Sequence, residues 1–360
     1  MEFSFAGSPE SGTFSWFSRG LREVMESEGH HYVDDTASAK LVFNFFPRGR
    51  PRPFRRRAQA VFVCAVTEFP HPFTDHIAQG YPVLPRALAN LAVGLVPSGP
   101  GDPDAHFITM EQGHYVVPGN AHRDGYFRQV YARIAPMASS TLVIDNLFQP
   151  DLPEELWNGD AITESICRAG RKLDELDLLP APFPMDELLS PRDFRHIKRL
   201  FGIGGLSYGN ISARHDSGRF WMSASGVDKS NLRIVGRDIL MVKDYSRERN
   251  CMLVSHPPRV EPRRVSVDAI EHWMIYREHP GVGAILHVHG WMRDVRATDF
   301  NYPCGTRELG RAVADIVREA EDPNRCVVGL RNHGLTITGI SLDEIFDRVE
   351  GKIMRTVPMD

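Results

Sequence analysis

Two histidines one residue apart, His287 and His289 in AILHVHG, offer the most direct chemistry in this 360-residue chain. The run after Gly283 is apolar and short enough for a strand. On a strand successive side chains alternate faces, so Val282, Ala284, Leu286 and Val288 point one way and Ile285, His287 and His289 the other. Two imidazoles on one face can reach a single ion, and a divalent-metal site then needs further ligands from elsewhere. The pair by itself equally suits two hydrogen-bonded histidines in a sheet. A third histidine, His333, ends CVVGLRNHG, where Val327, Val328 and Leu330 read as a strand entering a glycine-containing turn before LTIT. Upstream, SVDAIEHWMIYREHP reads as a helix with Ser266 as N-cap and Pro280 at its end, placing Asp268, His272 and Ile275 on one face. A carboxylate in the first turn is favoured by the helix N-terminus, which keeps Asp268 ionised and ready to accept a proton or bind a metal.

These residues need elements to hold them. In the first 150 residues LVFNF (41–45), AVFVCAV (60–66), HFITM (106–110) and TLVIDNLF (141–148) read as strands. Between them, Phe17, Leu21, Val24 and Met25 share a helical face, and RALANLAVGLV after Pro85 reads as a second apolar helix. Residues 1–150 thus form a smaller N-terminal α+β or α/β module. It has no G-x-G-x-x-G after a strand and no P-loop, so no nucleotide is assigned. RGRPRPFRRR (48–57) reads as a solvated loop, with a docking patch for an acidic or phosphate-bearing partner as the alternative. His71, His76, His106, His114 and His122 share no ligand spacing and read as scattered surface or core residues. Beyond the boundary near residue 150, AITESICRAGRKLDEL forms a helix behind Asp160 as N-cap, and TRELGRAVADIVREA another. Ser341 and Glu344 spell a capping box for the last helix. LLPAPFPMDELLSP (178–191) interrupts this second domain, 151–360.

Composition narrows the partners. Hydrophobic residues make up 42% of the chain, enough for two cores. Lys and Arg number 42 against 46 Asp and Glu, a net charge of -4, so no global basic field holds nucleic acid or an anionic membrane. A small-molecule substrate fits better. The N-terminus lacks a basic segment followed by an apolar run, and no stretch approaches span length, so a soluble, cytoplasmic protein is expected. The five cysteines, Cys64, Cys167, Cys251, Cys304 and Cys326, lack C-x-x-C spacing and are odd in number, which favours thiols in a reducing compartment.

Taken in order, GLSYGNISAR (205–214), FWMSASGVDKSNL (220–232), SVDAIEHWMIYREHP, HVHG, GTRELGRAV and RNHG resemble the sequence blocks of the class II aldolase and adducin family across residues 155–357. The resemblance implies a three-layer α/β/α domain with a mainly antiparallel sheet. It implies Zn2+, with Fe2+ or Mn2+ as other divalent candidates, bound by His287, His289 and His333. Asp268 would be the acid/base and in some members a fourth ligand, while Ser207, Gly209, Asn210, Ser225, Gly226 and Ser266 would line the substrate. It also implies a homo-oligomer such as a tetramer. The reaction expected is metal-dependent lyase chemistry of the aldolase type, on a hydroxyketone or sugar-like acid through a metal-stabilised enediolate. Epimerase, dehydratase or decarboxylase chemistry on the same fold, an iron(II) oxygenase and a non-catalytic adducin-like module remain the alternatives. Four features depart from the family's aldolases. Val267 and Asp268 stand where those enzymes have serine and glutamate, the segment between His289 and His333 is short, no tyrosine follows Tyr302, and the N-terminal module is additional.

Overall fold

The structure, a computed structural model, describes the chain except residues 8–10, 56–60, 110–112, 120–122, 181–188, 196–206 and 359–360. His122, the last two arginines of the basic run and much of the Pro-rich stretch therefore lie outside the described residues. The chain forms two compact units, Met1–Ser139 with Asp186–Leu200 and Met359–Asp360, and Ser140–Met185 with Phe201–Pro358.

The first unit is built on β1 (Glu2–Ala6), β2 (His31–Tyr32), β3 (Leu41–Phe45), β4 (Phe62–Glu68), β5 (Leu91–Val96), β6 (Asp104–Thr109) and β7 (His114–Val117), ordered β2-β1-β3-β4-β5-β6-β7. The first five are parallel and the last two antiparallel to their neighbours. Helix α1 (Gly12–Ser27) starts at Ser11, whose hydroxyl accepts from Phe14 N at 3.1 Å, and buries Phe14, Phe17, Leu21, Val24 and Met25. RALANLAVGLV is not a helix: α2 (Val83–Ala87) ends at Leu88, φ 58°, and LAVGLV forms β5, every residue of it buried. A central strand covered on both faces has a continuous apolar pattern that periodicity alone cannot separate from a helix. The described part of the basic run, residues 48–55, has no regular structure and is largely exposed. Three histidines that looked scattered in the sequence meet: His106 Nδ1 and His114 Nε2 share a hydrogen bond at 2.8 Å, and His76 stacks on His114 at 4.4 Å between ring centroids.

The second unit carries a nine-stranded sheet from β8 (Asp145–Gln149), β9 (Asn210–Arg214), β10 (Phe220–Ser223), β11 (Ile239–Ser246), β12 (Cys251–Ser255), β13 (Ala284–Val288), β14 (Arg296–Ala297), β15 (Val327–Leu330) and β16 (Gly334–Gly339). Its order is β14-β15-β16-β13-β9-β10-β11-β12-β8, antiparallel except at its two edges. TLVIDNLF, read with the N-terminal segment, supplies β8, which pairs parallel with β12. Helices cover both faces, giving three α/β/α layers. Ile211 of β9 faces Gly170 of α4 (Ala161–Glu175), while the next residue, Ser212, bonds His272 and Tyr276 of α5 (Ala269–Glu278) on the opposite face.

Local chemistry explains the helix starts. Asp160 Oδ1 accepts from Ile162 N and Thr163 N and its Oδ2 from Trp221 Nε1, tying α4 to the sheet. Thr306 Oγ1 caps α6 (Arg307–Arg318) through Leu309 N. At α7 (Leu342–Val349) Ser341 caps Glu344 N, but Glu344 reaches Ile340 N, so only half of the capping box forms. Among the described residues no helix is long and apolar enough to cross a membrane.

Candidate metal centre

The site forms where β13, β9 and β16 meet the start of α5. His287 pairs with Asn210 on one side and Thr336 on the other, so these three side chains share the sheet face under α5. His289 follows just beyond the strand. His333 sits in the β15–β16 turn after Asn332, φ 60°. Two glycines are required here by space. A Cβ on Gly209, φ +68°, would lie 2.2 Å from His287 O, and one on Gly334 would lie 2.3 Å from Val288 O.

His287, His289 and His333 converge, with one ligand nitrogen from each within 4.8 Å of the others. His289 Nε2 and His333 Nε2 are 3.2 Å apart. His287 directs Nδ1 at Leu335 O, 3.0 Å away, which fixes the tautomer and leaves Nε2 bare. Burial lowers the pKa of all three imidazoles, well below the ordinary value for His289 and His333, and their mutual repulsion adds to the shift in His289 and His333. They are therefore neutral at pH 7, the form a metal requires.

Five buried polar atoms in this region have no hydrogen-bond partner among the described residues: His287 Nε2, Asp268 Oδ1, Asn210 Oδ1, Glu271 Oε2 and His272 Nε2. Unpaired buried polar atoms are costly, so this concentration marks a place made for a guest. The residues fit a divalent ion: three neutral imidazoles, one of them oriented by a backbone carbonyl, beside a buried carboxylate.

Asp268 is 6% exposed and receives Asn210 Nδ2 on Oδ2 at 2.8 Å. The sequence reading put Ser266 at the helix N-cap; the N-cap residue is Asp268, and its side chain makes no cap bond. The two-residue offset frees the carboxylate to face Asn210, while Ser266 O accepts from Ala269 N. The remaining candidate substrate residues lie on two joined turns. Ser207 Oγ donates to Val227 O at 2.7 Å and accepts from Lys229 N at 2.8 Å. Ser225 N donates to Arg264 O, and Gly226 adopts φ +68°.

Of two further site residues, Lys229 is one that the sequence offers, with Arg264, to hold an anion, and Glu271 escaped the sequence reading. Lys229 is buried with its ammonium on Ser207 O at 2.9 Å; burial lowers its pKa to about 8, opposed by the charge of Asp268. Glu271 is 2% exposed and accepts from Thr336 Oγ1 at 2.5 Å. Burial and then the charge of Asp268 push its pKa up. A carboxyl whose folded pKa exceeds its unfolded one holds a proton that the unfolded chain has released, so stability falls as pH climbs above the ordinary carboxylate value. In metal-free protein this contribution fades between about pH 5 and about pH 8 while the buried imidazoles act the opposite way, so the melting temperature of Glu271→Gln should gain on that of the wild type across that range. Equal slopes in the two proteins would contradict a protonated Glu271.

Comparison with known proteins agrees with the site's composition. Residues 194–293 match the Class II Aldolase and Adducin N-terminal domain, a stretch that includes Asp268, His287 and His289. Over 81 residues the chain is 37% identical to a methylthioribulose-1-phosphate dehydratase of Citrobacter koseri, covering 22% of this chain and 34% of that protein. The chain thus spans about a third of that relative's length. Among solved structures it is similar to YgbL of Klebsiella pneumoniae, a candidate aldolase/epimerase/decarboxylase, at 16% identity over 52% of this chain and 83% of that one, TM-score 0.35. It is also similar to an L-fuculose 1-phosphate aldolase, at 18% identity over 53% and 81% of the two chains, TM-score 0.35. The matched stretch, which carries Asp268, His287 and His289, is thus a class II aldolase and adducin domain match over residues 194–293, and the blocks GTRELGRAV and RNHG follow it in the chain.

Proposed function

We propose that this chain is a divalent-metal-dependent lyase, with zinc as the leading ion, acting on a small hydroxyketone or sugar-like acid. The observation that carries this reading is the convergence of three neutral imidazoles beside a buried, half-satisfied carboxylate. His287, His289 and His333 would hold a divalent ion, which would supply Lewis acidity for a carbonyl-bearing substrate. The protein's own groups do the rest. Asn210 holds one oxygen of Asp268, leaving Oδ1 to take or return a proton at the carbon beside the carbonyl. Lys229 ties the Ser207 turn to the Ser225–Gly226 turn and places a buried positive charge near Asp268, suited to an anionic substrate end.

Carbon–carbon cleavage is the leading reaction, and water elimination is the second reading. The dehydratase relative favours the second. By the family resemblance the working form is a homo-oligomer.

Val267 bears on the substrate. A Cβ on Gly305 would lie 3.0 Å from Val267 Cβ, so this aliphatic side chain packs against Gly305, and by the family resemblance it stands where the aldolases have a phosphate-binding serine. Turnover of paired phosphorylated and dephosphorylated hydroxyketones, with and without chelator, tests the reading. Activity should vanish on chelation and return with added metal, and Val267→Ser should selectively favour the phosphorylated compound. Turnover indifferent to chelation would sink the proposed function. Strong wild-type preference for phosphate, unchanged by Val267→Ser, would sink the inference from Val267.

A further inference from the structure

We propose that Cys304 belongs to the metal centre as a sulfur ligand alongside His287, His289 and His333, an inference that rests on the metal reading above. Cys304 Sγ lies 3.4 Å from His333 Nε2, the same nitrogen that stands 3.2 Å from His289 Nε2. With metal–nitrogen bonds of about 2.0–2.1 Å and metal–sulfur bonds of about 2.3 Å, two donors on one tetrahedral ion stand roughly 3.5 Å apart. The sulfur is also 3.7 Å from His333 Nδ1 and stands outside the cluster of three nitrogens, so ligation needs a turn of the Cys304 side chain to bring it to the ion.

The backbone around Cys304 is held from both sides. Gly305 O accepts from Val143 N at 2.7 Å, Leu142 bridges Thr306, and Thr306 Oγ1 donates to Pro303 O at 2.8 Å. Gly305, φ +71°, permits the close passage against Val267 that keeps this segment beside the Asp268 corner. None of these contacts depends on the thiol.

Charge argues the same way. Three neutral imidazoles leave an ion's full double charge in a buried site, whereas a thiolate cancels half of it. On binding, the S–H bond breaks, the metal–sulfur bond forms and the proton leaves to solvent. Asp268, bonded to Asn210, then serves as the base instead of as a ligand. A sulfur donor also shifts the site's preference toward zinc and iron and away from manganese. Substrate would enter by expanding the coordination number.

Cobalt(II) provides the test on the full-length protein. The wild type loaded with cobalt should show visible d–d bands together with a near-ultraviolet sulfur-to-cobalt charge-transfer band. In Cys304→Ser the d–d bands should persist, the charge-transfer band should vanish, and zinc affinity should fall by roughly tenfold or more, at least the effect of losing a group that merely orients a ligand. Wild-type protein with d–d bands but no charge-transfer band overturns the role of Cys304 and leaves the histidine centre standing. A charge-transfer band surviving in Cys304→Ser assigns the sulfur elsewhere and also overturns it. Cobalt that does not bind at all overturns the metal reading and this inference together.

Discussion

Asp268→Asn should keep the fold and bound metal while lowering turnover about 100-fold or more, the usual cost of removing a positioned proton carrier. That loss corresponds to roughly 2.7 kcal/mol of transition-state stabilisation. Asparagine has the same shape, and its carbonyl can still accept from Asn210 Nδ2, so the hydrogen bond now made at 2.8 Å can survive. What disappears is the basic oxygen that the wild type leaves unpaired, Oδ1. If Asp268 also bound metal, the substitution would lower metal content in parallel with activity; the two are separated by measuring kcat and metal stoichiometry on the same preparation. Turnover within a few-fold of wild type would remove Asp268 from the chemistry. The backbone at this corner should be unaffected, because Ser266 O, not the Asp268 side chain, accepts the first helical bond from Ala269 N.

Much of this arrangement could be read before any coordinates, for local reasons. The H-x-H alternation placed His287 on a defined strand face, and Asp160 and the apolar spacing behind it announced α4. Glycine blocks at Gly209 and Gly334 lie at close backbone approaches that only glycine permits. The errors have a different physics. LAVGLV reads as helix in the sequence because a strand buried on both faces has no alternation to show. Ser266 was placed at the N-cap because propensity outweighed the two-residue register that side-chain geometry later fixed. The surroundings of Glu271, Lys229 and Cys304 were invisible for a common reason. Their chemistry depends on partners far along the chain: Thr336 is 65 residues from Glu271, Ser207 is 22 from Lys229, and His333 is 29 from Cys304. A glutamate inside a helix reads as surface until its burial is known. The stack of His76, His106 and His114 was hidden in the same way, since β6 and β7 bring the last two together only through antiparallel pairing.

His289→Ala should cost the protein its metal and with it all detectable turnover, whereas His272→Ala should keep the metal. His272 is fully buried and His289 half-buried, and the two are differently engaged. His289 presents Nε2 to His333 Nε2 at 3.2 Å, within the three-nitrogen cluster. His272 shares a hydrogen bond through Nδ1 with Ser212 Oγ at 2.7 Å and lies outside that cluster, and burial lowers its pKa to about 3. It therefore orients its surroundings as a neutral ring. Losing a residue that only orients ligands costs about 10–100-fold in metal affinity or activity, so loss of a ligand should exceed that. The decisive measurement is elemental analysis of metal per chain after equilibrium dialysis in limiting zinc. Wild type and His272→Ala should each retain one ion per chain and His289→Ala essentially none; equal metal content in wild type and His289→Ala would contradict the histidine centre.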